Sequence, residues 1–205
     1  MIIALSVSAT FGGATEDLFT LVKDENSTPK MIQTLIKFGA DVNAKDDFGY
    51  TALMWAAHGN KNPEIIKTLL IAGADINANN GGLTALMMAI LGNNTLEVIK
   101  TLLNAGANVD ARDRSNRTAL MWEVCFACDI QIIKAMLSAG ADVNIKDKEN
   151  RTILIEAVRS EGSFEVIKTL LDAGADIFAK DNEGKTVLDY TKDNGVKKLI
   201  LISAQ

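Results

Sequence analysis

The sequence predicts an all-α fold, a solenoid of helix-loop-helix units with projecting β-turn or hairpin fingers, and three recurrences carry that prediction. The string Gly-Ala-(Asp/Asn)-(Val/Ile) begins at Gly39, Gly73, Gly106, Gly140 and Gly174, at intervals of 34, 33, 34 and 34 residues. A second string, Thr-x-Leu, begins at Thr51, Thr84, Thr118, Thr152 and Thr186, at intervals of 33, 34, 34 and 34. Between them an apolar quartet spaced i, i+1, i+4, i+5 returns as Ile65, Ile66, Leu69, Leu70; Val98, Ile99, Leu102, Leu103; Ile132, Ile133, Met136, Leu137; and Val166, Ile167, Leu170, Leu171. Two independent markers sharing one period, with one buried helical stripe per period, define a stacked repeat array.

Each element follows from local chemistry. The quartet helices start at the position eleven residues before each marker glycine, which is Thr28, Asn62, Thr95, Asp129 or Ser163. All five are N-cap residues, whose side-chain oxygen accepts from an otherwise unpaired backbone N–H, worth about 1 kcal/mol. Pro29 and Pro63 follow two of the caps, and Glu64, Glu97 and Glu165 sit in first turns beside the positive end of the helix dipole. The five glycines stop these helices at C′, where a left-handed backbone is needed. From each glycine to the next Thr-x-Leu runs a polar stretch such as Ala40 to Tyr50, whose Asp, Asn and Gly supply turn chemistry. The finger after Gly73 is one residue shorter than the others and carries Asn79-Asn80-Gly81-Gly82, so a different shape is expected there.

Met31, Ile32, Leu35 and Ile36 form an earlier copy of the quartet in a first helix pair, about 15–38, that lacks Thr-x-Leu. The last unit, from Thr186 through Val196 to Ile202, has no following Gly-Ala-Asp. Both read as capping units, since a solenoid needs terminal units with one polar face. The expected organisation is six helix pairs and five fingers in one domain over residues 15–201, with residues 1–14 as an N-terminal extension and 202–205 as a C-terminal tail.

Composition narrows the classes of function. Hydrophobic residues make up 48%, enough for a continuous core, and 21 basic against 26 acidic residues give a net charge of −5. That field repels polyanions, so nucleic acid is not an expected partner. The chain has no apolar run of membrane-spanning length, so no membrane partner is expected either. The two cysteines, Cys125 and Cys128, are too few and too close for a disulfide scaffold, and a cytoplasmic, monomeric protein is the expectation. Secretion stays as the alternative because Met1 to Ala9 is apolar and ends in small residues, although the first basic residue is Lys23.

At these residues the chain resembles the ankyrin-repeat family, whose units open on Thr-Pro-Leu-His-x-Ala and close on Gly-Ala-Asp-Val-Asn. Here Thr51-Ala52-Leu53-Met54, Thr84-Ala85-Leu86-Met87, Thr118-Ala119-Leu120-Met121 and Thr152-Ile153-Leu154-Ile155 stand in place of the first motif, without its Pro or His. The resemblance implies a non-enzymatic module that binds a protein or peptide along the finger tips and the exposed face of the first helices. It also implies that Asn43, Asn77 and Asn144, at finger bases, match positions hydroxylated in some members, beside a structural role there.

Carried over by register, the exposed first-helix position four after each marker threonine is Trp55, Met88, Trp122 and Glu156. Adjacent positions add Phe48, Tyr50, His58, Leu83, Leu91 and Phe126, and Arg114, Arg117, Arg151 and Arg159 add a basic rim. A partner offering apolar or aromatic groups with acidic residues fits that set. Tryptophan and arginine are the residue types that most often carry interface energy.

Catalysis is not expected. The only histidine is His58, the carboxylates fall at cap and finger positions that the repeat explains, and the glycines stop helices. Cys125-Phe126-Ala127-Cys128 keeps open a second reading, a thiol-dependent redox or metal-binding regulator, although a structural zinc site needs two more ligands. A structural spacer without a dedicated partner is a third. No cofactor and no metal are expected.

Overall fold

The computed structural model describes residues 13–92 and 95–203. The segments 1–12 and 204–205, which include most of the expected extension and the end of the expected tail, lie outside the described residues, as do 93–94. Among the described residues there are twelve helices in six pairs. The first helices are α1 (Gly13–Lys23), α3 (Ala52–Gly59), α5 (Ala85–Leu91), α7 (Ala119–Phe126), α9 (Ile153–Arg159) and α11 (Val187–Tyr190). The second helices are α2 (Pro29–Lys37), α4 (Pro63–Ile71), α6 (Leu96–Asn104), α8 (Ile130–Ser138), α10 (Phe164–Asp172) and α12 (Asn194–Ile202). Strand structure in the described residues is limited to isolated bridges such as Lys45 with Thr51, so the fingers are turns.

The capping chemistry read from the sequence is present. Thr28, Asn62, Thr95, Asp129 and Ser163 each accept a backbone N–H from the first turn of α2, α4, α6, α8 and α10. Thr51, Thr84 and Thr118 cap the first helices α3, α5 and α7 in the same way. Thr152 departs from this pattern, with a buried hydroxyl that has no hydrogen-bond partner. The five marker glycines follow the second helices with φ between 87° and 92°, the left-handed region that favours glycine.

Helices α1 to α6 belong to one compact unit, which runs to Asn80 and resumes at Thr84–Ala107. Helices α7 to α12 belong to a second, Asn108 onward together with Gly81–Leu83. In each unit the first helices pack side by side as one layer, α1 on α3 on α5 and α7 on α9 on α11. The second helices form the other layer, α2 on α4 on α6 and α8 on α10 on α12. The quartets fill the space between layers: Ile65, Ile66, Leu69, Val98, Ile99 and Leu102 in the first unit, and Ile133, Met136 and Leu170 in the second, are at most 2% exposed together with Val166 and Ile167. The fourth member of each, Leu70, Leu103, Leu137 or Leu171, is half-buried. The first helices α3, α5, α7 and α9 are buried nearly all round; outside the buried set are chiefly Trp55 in α3, Trp122 in α7 and residues of the last turns such as His58, Leu91, Phe126 and Arg159.

Finger bases tie consecutive repeats together. Asn43 donates from Nδ2 to the Gly73 carbonyl (2.9 Å) and accepts from the Asp75 N–H (2.8 Å). Asn144 does the same with Gly174 and Asp176 (3.1 and 2.8 Å), and Asn77 Nδ2 reaches the Gly106 carbonyl (3.5 Å). These asparagines therefore have a structural task at the finger base. The finger after Gly73 differs as expected: it has two successive left-handed residues, Gly81 (φ 60°) and Gly82 (φ 96°), where the others have one, Gly49, Asn116, Asn150 or Gly184. A Cβ at Gly82 would stand 2.6 Å from the Asp113 Cα, so only glycine fits.

Candidate protein-binding surface

Four fingers carry an aspartate five residues before the marker threonine: Asp46, Asp113, Asp147 and Asp181. The Oδ1 of each accepts two backbone N–H groups of its own turn, those of Phe48 and Tyr50, Ser115 and Arg117, Glu149 and Arg151, or Glu183 and Lys185, at 2.7 to 3.0 Å. This side-chain turn rigidifies the tip and turns Oδ2 toward the first helix. There it accepts from Trp55 Nε1 (2.7 Å), Trp122 Nε1 (3.0 Å) and the Tyr190 hydroxyl. Each donor lies four residues past its marker threonine. In the remaining repeat that residue is Glu156, which cannot donate, and Arg151 bridges instead, with Nη2 2.8 Å from Asp147 Oδ2 and Nε 2.8 Å from Glu156 Oε1. The second finger has Asn79 at the aspartate position, and its first-helix residue is Met88.

A helix packs the residue before its N-cap against the fourth residue of its first turns, and this register sets the neighbours of each aromatic. In the first unit Tyr50 meets Trp55 edge-on with ring centres 5.2 Å apart. His58 meets Trp55 edge-on at 6.0 Å, and the Lys23 amino group lies 3.9 Å over the indole face. Trp55 is thus closed in on its face, edges and N–H. Phe48 (75% exposed) and Leu91 (39%) are the open apolar side chains of this unit's finger and first-helix positions.

In the second unit, among the described residues, Trp122 has fewer ring and cation neighbours than Trp55. Trp122 stacks on Phe126 with ring centres 5.4 Å apart and planes 24° from parallel, and Phe126 is 67% exposed. Beside them Glu156 receives Arg151 and Arg159 on the same oxygen, Arg159 Nη1 at 2.9 Å, while its Oε2 faces Cys125 Sγ at 3.7 Å. Arg159 also lies 5.5 Å from the centre of the Tyr190 ring, as does the Lys185 amino group. Arg114, on the finger before α7, lays its guanidinium against Gly81, where a Cβ would be 2.6 Å from Nη2. The Asp181 carboxyl is held below its ordinary range by the Tyr190 hydroxyl, and the same bond raises the Tyr190 phenol.

Two positions expected to be exposed are not. Met88 is 4% exposed and packs inside the first unit; a flexible thioether fills core space readily, and its finger offers no aspartate to hold a polar group outward. Glu156 is 6% exposed because two arginines fold over it. His58, read from the sequence as exposed, is half-buried against Trp55, and Leu83 is half-buried as well. Three participants escaped the sequence reading: the finger aspartates, Lys23, and Tyr190, which stands four past Thr186. The signal for the aspartates and Tyr190 was the nine-residue spacing of Asp46 to Trp55, Asp113 to Trp122 and Asp181 to Tyr190, whereas Lys23 reaches Trp55 only through packing between repeats.

Both thiols are pushed above their ordinary range, Cys125 by burial and the Glu156 charge, Cys128 by burial and the Glu123 charge. A raised thiol is mostly protonated and a poor nucleophile or metal ligand. Among the described residues no three His, Cys, Asp or Glu side chains converge as a metal site, and no helix is long and apolar enough to cross a membrane.

A repeating helix pair with an aspartate-braced finger is the unit of a stacked helical repeat array. A family model described as ankyrin repeats (3 copies) matches residues 18–113 and 93–181, so the chain belongs to the ankyrin-repeat family. Ankyrin repeats are in general non-enzymatic protein–protein interaction modules. Among solved structures, one similar chain comes from the complex of the predatory endopeptidase Bd0816 from Bdellovibrio bacteriovorus with immunity protein Bd3460. It is 29% identical, with a TM-score of 0.75 over 90% of this chain and 96% of that one. The ankyrin repeat domain of Bcl-3, described as a unique member of the IkappaB protein family, is 26% identical, with a TM-score of 0.77 over 94% of this chain and 96% of that one. No curated protein sequence matches the chain significantly.

Proposed function

We propose that this chain holds another protein or peptide on the first-helix and finger surface, with the second unit as its main point of grip and no catalytic step. The observation that carries the reading is the Trp122–Phe126 stack, with Phe126 67% exposed beside Arg117, Arg151 and Arg159. An open aromatic platform next to arginines has the composition of an interface centre with its rim. A partner with apolar or aromatic groups and acidic side chains fits it, and the chain is expected to act as a cytoplasmic monomer. Phe48, Tyr50, Leu91 and Arg114 extend the surface along the fingers.

The test is a displayed library of random twelve-residue peptides selected against the whole chain, repeated on Trp122→Ala and Phe126→Ala. Retained peptides should bind both variants more weakly, mainly through faster dissociation. Retention of the same peptides with unchanged dissociation in both folded variants moves the site elsewhere. The thiol reading predicts instead that Cys125→Ser with Cys128→Ser abolishes function; the raised thiols argue against it.

A further inference from the structure

We infer that the second unit contains a carboxylate-reading position at Arg117, which takes an aspartate or glutamate side chain of the bound peptide while a neighbouring apolar residue lies on Phe126 and Trp122. The inference rests on the binding surface proposed above and states what chemistry that surface selects.

Arg117 precedes the N-cap Thr118 of α7, and Trp122 is the fourth residue of that helix. The cations at the same register in the next two repeats are internally matched. Arg151 is matched by Asp147, Glu149 and Glu156, and Lys185 by Glu183. Arg117 is not: among the described residues it forms no ion pair, and its Nε is buried without a hydrogen-bond partner. The carboxylate of its own finger is already committed, since Asp113 Oδ1 accepts from Ser115 and Arg117 backbone N–H groups and Oδ2 accepts from Trp122. Glu156 shares one oxygen between Arg151 and Arg159 and turns the other to Cys125.

A buried guanidinium N–H without an acceptor lowers stability, so its presence calls for a reason. Nε itself is closed to solvent, so a carboxylate arriving from outside is met by the terminal Nη groups, and pairing there offsets that cost. A carboxylate is planar, it accepts two parallel N–H bonds from the guanidinium fork, and it is the group that arginine recognises with geometric selectivity. Among the described residues Arg114 forms no ion pair either, whereas Asp147, Glu149 and Glu156 are matched by Arg151 and Arg159; the carboxylate at the tip of this finger, Asp113, turns its oxygens to its own turn and Trp122. The apolar residue follows from the register: Trp122 and Phe126 continue along α7 from Arg117, four residues apart on one face, so an acid and a hydrophobe close together in an extended peptide meet both.

The test uses the peptide library with the whole chain and with Arg117→Met. Peptides kept by the wild-type chain should be enriched in Asp or Glu within three residues of an aromatic or leucine. For one synthetic peptide of that kind, changing its acid to the amide should weaken binding to the wild-type chain about tenfold, as loss of a charge-assisted bond does. The same change should have no effect on binding to Arg117→Met, so the pair couples in a double-mutant cycle. Arg117→Met should melt no lower than the wild type, because it removes an unmatched buried N–H. An amide penalty that persists in Arg117→Met overturns the inference, as does a variant that melts well below the wild type, which makes Arg117 a structural residue. Peptides that depend on Trp122 but show no acidic preference leave the proposed function standing and remove this inference; a library that yields no binder removes both.

Discussion

Trp55 and Trp122 begin from the same pentapeptide, Thr-Ala-Leu-Met-Trp at 51–55 and 118–122, and end in different surroundings. Both indoles are half-buried, and both donate to the aspartate of their own finger. Beyond that shared bracket they diverge. Trp55 is covered by Lys23, Tyr50 and His58, whereas among the described residues Trp122 has one ring neighbour, Phe126, which is itself open to solvent. The local motif sets the bracket; the residues at the preceding finger position and one or two turns further along the helix set access. Tyr50 and His58 close the first site, and Arg117, Cys125 and Phe126 leave the second open. A repeated tryptophan is therefore a clasp in both units, and only the one at 122 belongs to the contact surface proposed above.

The largest expected effect tests what the two regions share. Asp46→Ala and Asp113→Ala each strip the acceptor from two backbone N–H groups and one indole N–H, and each should cost about 3 kcal/mol. Urea unfolding, followed by the fluorescence of Trp55 alone in Trp122→Phe and of Trp122 alone in Trp55→Phe, reads each unit separately. Similar losses sharpen the view of one common bracket, and a loss confined to one finger breaks it.

The next effect tests what they do not share. Trp122→Ala should weaken retained peptides by roughly 2 kcal/mol, while Trp55→Ala should leave peptide affinity nearly unchanged and lower stability through lost packing. Equal affinity losses in the two variants, measured by binding kinetics, erase the distinction between clasp and contact. Lys23→Met is a smaller perturbation, since removing a cation from an indole face costs about 0.5 to 1 kcal/mol. Acrylamide should then quench Trp55 about as well as it quenches Trp122. Unchanged quenching means that Tyr50 and His58 alone exclude the solvent.

The smallest effect is a slope with pH. Glu123, 1% exposed in α7, accepts the Asp129 N–H at 2.8 Å, and burial raises its carboxyl above the ordinary range; α3 has Ala56 at that register. The folded chain holds this proton more tightly than the unfolded chain. The stability it contributes is therefore present at low pH and is lost as pH rises from the ordinary carboxylate value through the raised one. Glu123→Gln keeps an acceptor for Asp129 without the charge, so its stability relative to the wild type should climb as pH rises above the ordinary carboxylate range. The Ala56 repeat supplies no such slope. A flat difference as pH rises means Glu123 is solvated when charged.

The sequence by itself determined the period, the helix pairs, the caps and the stop positions, because those depend on chemistry within a few residues: Thr28 and Ser163 beside their own first turns, Gly39 and Gly174 at C′ with φ of 92° and 87°. It determined the family for the same reason, since each repeat writes its local rules again. Only the tertiary structure decided which of the outward positions are open. Met88 turned inward where Asn79 replaced an aspartate, Glu156 was covered by arginines from the preceding finger and its own helix, and Lys23 came from α1 to cover Trp55. Exposure at one register depends on the volume and charge of neighbours distant in the chain. A period can place a side chain on a face, but packing between repeats decides whether that face stays free.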